Sequence, residues 1–163
     1  MSDTKEELDK QFKELLDKYL GRRPEAFRWV IDLWTLGHDI DDVIDIPERR
    51  ASSQFLMQVW SKYLDVLSAP FYHRYIERLY PLVKVVHHVY ADSLEWEKED
   101  GWKGQFADVF RCSGSHLIIA VIEIVTYEET GSYDLSYEAA REVSMLAKEC
   151  AWYAHHNEKG EKV

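Results

Sequence analysis

The chain has 163 residues and carries thirty acids against twenty lysines and arginines, a formal net charge of −10. Hydrophobic residues at 46% and charged residues at 31% describe one folded domain with a real core and exclude a disordered chain. The acidity excludes a general nucleic-acid footprint, which needs a basic surface, and leaves metal cations or a basic protein as the favoured partners.

Proline, glycine and serine divide the chain into helical patterns. Ser2 to Thr4 cap a first helix, in which Leu8, Phe12, Leu15, Leu16 and Tyr19 recur at three and four residues and which Gly21 ends. Pro24 suits the first turn of a second helix, running to Pro47. Ser52 or Ser53 caps a third, which carries Phe55, Leu56, Val59, Trp60, Tyr63, Leu64 and Leu67. Pro70 opens a fourth helical region, which Pro81 kinks or splits and which fades over Glu95 to Asp100. After a loop at Gly101 and Gly104, a fifth helix runs from about Phe106 to Tyr127, and Asp134 or Ser136 caps a last one ending near His156. No strand pattern competes. The expected fold is all-α, a single-domain bundle of about six helices over residues 1–157 with a frayed tail at 158–163.

The rest of the composition narrows the setting. Cys112 and Cys150 are in no CxxC spacing and read as reduced thiols of a cytoplasmic protein. The charged N-terminal stretch does not read as a signal peptide, and the longest apolar run, Leu117 to Val125, is too short to span a bilayer. Neither a membrane nor a nucleic-acid partner is expected. Six tryptophans suit a homodimer interface as well as a core.

The second helix ends HDIDDVID, His38 to Asp45. At 100° per residue, His38, Asp41, Asp42 and Asp45 fall within an arc of about 100°. Trp29, Leu33, Leu36, Ile40, Val43 and Ile44 take the opposite arc, with Asp32 and Asp39 near its edge. Like charges four residues apart repel, and the second half of a helix disfavours anions. A divalent cation repairs both penalties, and Mg²⁺, or Mn²⁺ in its place, suits carboxylates that leave room for water and a phosphate. The opposing reading is a solvated acidic face over a buried apolar one.

The pentapeptide Asp41-Asp42-Val43-Ile44-Asp45 resembles the first aspartate-rich motif, DDxxD, of trans-isoprenyl diphosphate synthases and related class I terpenoid synthases. His38 before it and Arg49 and Arg50 after it fit the same neighbourhood. The resemblance is local, and the chain has no second DDxxD. It implies that Asp41 and Asp45 bind Mg²⁺ that holds a diphosphate, with Asp42 beside them and Arg49 and Arg50 as diphosphate contacts. The chain also resembles small uncharacterised helical phage proteins with a similar aspartate cluster, a likeness that brings no function with it.

Further ligands come from two other helices. His88, Asp92 and Glu95, at i, i+4 and i+7, are placed to meet the aspartate helix across a groove, or to form a solvated face. Glu123 lies in an otherwise apolar run, where a buried carboxylate costs several kcal/mol unless paired, protonated or metal-bound. It is thus the candidate buried acid, with Arg111, Arg141 or a tyrosine as structural partner otherwise; His116 shares its stripe. On the enzymatic reading, Asp39, Asp41, Asp42, Asp45, His88 and Asp92 hold metal, Glu123 and Asp42 act in catalysis, and Arg49, Arg50 and Arg111 bind substrate. The reaction would be Mg²⁺-dependent hydrolysis of a diphosphate-bearing small molecule. All-α nucleotide pyrophosphohydrolases follow that plan, although their paired ExxE and ExxD motifs are not evident here. The alternative is a non-catalytic acidic helical protein, a phage-type accessory that binds another protein.

Overall fold

The computed structural model describes residues 5–99 and 101–158, without the side chains of 5, 6, 105, 108, 109, 111 and 148–158. The cap expected at Ser2 to Thr4, the fade at Asp100, the thiol of Cys150 and the tail beyond 158 lie outside the described residues.

Among those residues the chain is all-α, with no strand. The order is α1 (Lys5–Leu20), α2 (Pro24–Asp45), α3 (Pro47–Ala51), α4 (Ser53–Ser68), α5 (Pro70–Arg74), α6 (Ile76–Trp96), α7 (Trp102–Arg111), a 3₁₀ turn (Cys112–Gly114), α8 (Ser115–Thr130) and α9 (Tyr133–Glu158). That makes nine helices among the described residues where about six were expected, and each extra break has a physical cause. Pro47 starts the short α3. The fourth region divides at Tyr75, φ −114° and ψ 21°, instead of at Pro81. Pro81 is tolerated inside α6 because Glu77, whose carbonyl it cannot serve, is exposed beside it. The fifth region divides at Cys-Ser-Gly-Ser, where the Ser115 hydroxyl donates to the Cys112 carbonyl at 2.7 Å and a 3₁₀ turn replaces the α-helix.

Capping follows the chemistry of the ends. Ser52 accepts from the Phe55 N–H at 3.2 Å. The cap of α9 is Ser132, which accepts from the Leu135 N–H at 3.3 Å, not the expected Asp134 or Ser136. Gly131, at φ 68°, adopts the left-handed conformation that closes α8 and turns the chain into α9.

The core sits around α8. Its Ile118, Val121, Ile122 and Val125 are buried against α9, α1, α2 and α6. On one side Leu8, Phe12, Leu16 and Leu20 of α1 and Val143 of α9 complete the packing. On the other, Trp29 and Val30 of α2 meet Phe71, Tyr72 and Leu79 of α5 and α6. Polar ties join the layers at the rim. Glu128 of α8 accepts from the Tyr75 hydroxyl at 2.7 Å and pairs with Arg23, and Arg74 pairs with Glu25. Burial, then the hydrogen bond to Glu128, pushes the Tyr75 phenol above its usual pKa. α4 lies outermost, packed on α2 and on its chain neighbours α3 and α5.

Trp29 fixes that outer layer. Its ring stacks on Tyr72 at 5.9 Å and meets Phe71 at 5.7 Å. Its indole N–H donates to the carbonyl of Val66 at 2.9 Å. In a continuing helix that carbonyl would accept from residue 70, but residue 70 is proline and has no N–H. The indole supplies the missing donor inside the core. Trp29→Phe keeps a ring but leaves the carbonyl buried without a partner, so it costs about 1–3 kcal/mol in urea unfolding. The same exchange at Trp60, which is 57% exposed in the single chain, changes the stability of the monomer by no more than about 0.5 kcal/mol.

Candidate functional site

α2 presents its carboxylates as the helical spacing requires, and neighbouring elements engage them. Lys62 of α4 forms an ion pair with Asp39, whose side chain keeps only 15% of its exposure. Arg49 of α3 pairs with Asp42, while its guanidinium lies 4.9 Å from the Phe55 ring centroid. The Tyr90 hydroxyl of α6 donates to Oδ1 of Asp41. Asp45 is exposed at the helix end, and His38 is half-buried edge-on against Trp34 at 5.0 Å. The carboxylates thus tether α3, α4 and α6 to α2, which offsets the repulsion that the sequence pattern implies.

The proposed metal partners on α6 do not converge there. Tyr90 is the α6 residue that reaches the aspartates. His88 and Asp92 lie two positions to either side of it, about 200° round the helix, and both are exposed. Glu95 is exposed and pairs with Lys98. Among the described residues, no group of three or more His, Cys, Asp and Glu side chains is gathered closely enough to hold a metal ion.

Glu123 requires a correction. The run from Leu117 to Val125 is buried on most of its circumference, but Glu123 is exposed, and so is His116 on the same stripe. The expected buried acid is a solvent-facing residue on the one side of α8 left uncovered, because α8 meets its neighbours across the rest of its surface. Arg49 reaches the aspartates, Arg50 is exposed on α3, and the side chain of Arg111 lies outside the described residues, as do those of Asp108, His155 and His156.

Two features of this region had no place in the sequence reading. Lys62 and Tyr90 are the partners of Asp39 and Asp41, and neither is marked in sequence, since each belongs to a different helix. The other feature is the outer face of α4. Leu56, Met57, Trp60, Tyr63 and Leu64, all but Met57 part of the apolar pattern that marks this helix in sequence, are 40–62% exposed. Their signal was legible in hindsight: apolar residues cover well over half of the circumference of α4, more than one layer of packing needs.

A groove of about 380 Å³ lies elsewhere, between α1 and α9, lined by Gln11, Glu14, Leu15, Lys18, Glu142, Met145 and Leu146. Its charges are mutually engaged. Lys18 donates to Glu142 at 2.8 Å, and the Tyr19 hydroxyl donates to the same carboxylate. The Lys18 ammonium first, and then that hydroxyl, hold the Glu142 carboxyl below its usual pKa.

The chain was compared with protein-family models, curated proteins and solved structures, and nothing matched it. No helix among the described residues is long and apolar enough to cross a membrane.

These pairings carry two predictions. Asp39→Asn and Asp42→Asn each lower stability by up to about 1 kcal/mol, and Lys62→Met added to Asp39→Asn costs less than Lys62→Met alone, in a double-mutant cycle read by urea unfolding. At Glu142 the folded-state pKa is depressed, so its contribution is present above the ordinary carboxylate pKa and is lost as pH falls through the folded value. Glu142→Gln therefore melts slightly below wild type at pH 7, and the two melting temperatures converge as pH falls below the depressed carboxyl pKa.

Proposed function

We propose that this protein works by binding another protein chain, with the outer face of α4 as its docking surface. The observation that carries the reading is the row Leu56, Met57, Trp60, Tyr63 and Leu64, exposed on a helix that packs on one side only. An exposed apolar patch containing Trp and Tyr has the composition of an interface centre. The aspartates of α2 support the same reading indirectly. Asp39, Asp41 and Asp42 are engaged within the fold, so they act as structure and leave recognition to α4.

A second reading has one observation in its favour. Arg49 pairs with Asp42, so a guanidinium suited to a diphosphate meets the aspartate-rich end of α2, in line with the DDxxD resemblance. On that reading these aspartates hold Mg²⁺ or Mn²⁺, and the metal activates water and clamps the diphosphate leaving group.

Two measurements separate them. On the docking reading, millimolar Mg²⁺ with pyrophosphate leaves the melting temperature unchanged. A rise that disappears in the double variant Asp41→Asn, Asp45→Asn transfers support to the diphosphate reading. A photocrosslinking residue in place of Met57 gives a discrete adduct in the cells that make the protein, and one in place of the exposed Glu138 on α9 does not. Equal labelling at both positions, or none at 57, removes α4 as the docking surface.

A further inference from the structure

At 100° per residue, Leu56, Met57, Trp60, Tyr63, Leu64 and Leu67 fall within an arc of about 120° on α4. No charged residue lies in that arc. It adjoins the inward arc of Phe55, Val59, Lys62 and Val66, through which α4 rests on α2. Within this arc Leu56, Trp60, Tyr63 and Leu67 are spaced four, three and four residues apart, the interval at which two helices interdigitate along a seam, and Leu67 at its end also packs against the core. The Trp60 and Tyr63 rings touch at 5.9 Å. The surface continues onto α6. The Tyr72 phenol is pushed above its usual pKa by burial first and then by Tyr80 and Tyr63, so both tyrosines lie near it. Tyr80 is 52% exposed, and Ile76, one turn before it, is 39% exposed.

Charge and area indicate the occupant. The chain as a whole carries −10, so two copies repel wherever their general surfaces approach. They meet at least cost on a face without charge, and the outer arc of α4 is such a face. A basic partner would find no charge to pair with in that arc. Of the other exposed aromatic rows, Tyr133 and Tyr137 on α9 are interleaved with Asp134, Glu138 and Glu142, and Trp102 and Phe106 on α7 flank Lys103, which pairs with Glu99, so both carry charge that the outer arc of α4 lacks. The exposed parts of the five α4 side chains with Ile76 and Tyr80 amount to on the order of 700 Å², close to the ~800 Å² that each partner brings to a standard interface.

We propose that the protein is a homodimer in which α4 packs against α4 of a second copy about a two-fold axis, with Trp60 and Leu64 at the centre. The proposal rests on the reading of α4 as a docking surface and names its occupant. Because the interface is apolar and the net charges are alike, added salt strengthens the dimer, whereas salt would weaken a complex with a basic partner.

The test is sedimentation of the full chain across the micromolar range at low and high salt. The expected mass rises with concentration to twice the 19.3 kDa of one chain, and more readily at high salt. Trp60→Glu and Leu64→Glu weaken the dimer on the order of thirtyfold or more, while the monomers keep their helical circular dichroism and cooperative melting. A dimer that survives both substitutions overturns α4 as its interface. A chain that stays monomeric throughout overturns the second copy as occupant. In that case an adduct from the crosslinker at position 57 leaves the docking reading standing with a different partner, and its absence overturns that reading too.

Discussion

Inside the core the indole of Trp29 donates to the carbonyl of Val66 while its ring lies on Tyr72, and the placement of α2, α4 and α5 follows from that one contact. Pro70 creates the need by withholding an N–H from the end of α4. The same proline starts α5, which carries Phe71 and Tyr72 back against the indole. A helix break at residues 66 and 70 is thus repaired by residue 29, 37 positions away from Val66 in sequence. The inward arc of α4 is committed to this contact, and its second apolar arc is left facing out.

The acidic stripe of α2 serves the same assembly. Its carboxylates stand in the C-terminal half of the helix, where the backbone dipole disfavours them. Lys62, Arg49 and Tyr90 approach from three different elements, and each approach both relieves the charge and fixes an element. The partly buried Asp39–Lys62 pair lies at the junction of α2 and α4 that Trp29 also holds. Cations that could have come from solvent or a ligand are supplied within the fold by α3 and α4.

Much of the fold was legible in the residues. Pro24, Pro70 and Gly131 mark ends through backbone geometry that no packing can override, and the four-residue spacing of Leu8, Phe12 and Leu16 marks α1 and its buried face. The break at Tyr75 was hidden because it comes from tertiary contact. Tyr75 buries its ring beside Phe71 and reaches Glu128 with its hydroxyl. Pro81 is the converse, a strong local signal that solvent exposure makes tolerable. At the candidate site, periodicity set Asp41, Asp42 and Asp45 on one arc of α2 but could not name Lys62 or Tyr90 as the partners of that stretch. It misplaced Glu123, because an apolar run shows that a helix is mostly covered, not which residue occupies the uncovered strip.

The dependence of the end of α4 on the indole of α2 also bears on how the two helices come apart. Severed from α2, α4 keeps a carbonyl that its own backbone cannot serve, so its last turn frays. The two helices therefore open and close as one unit, and the backbone amides on both sides of that contact share one exchange free energy. The apolar ridge of α4 is rigid only while Trp29 is seated, so a half-folded chain lacks the aligned ridge and has little capacity for premature association through it.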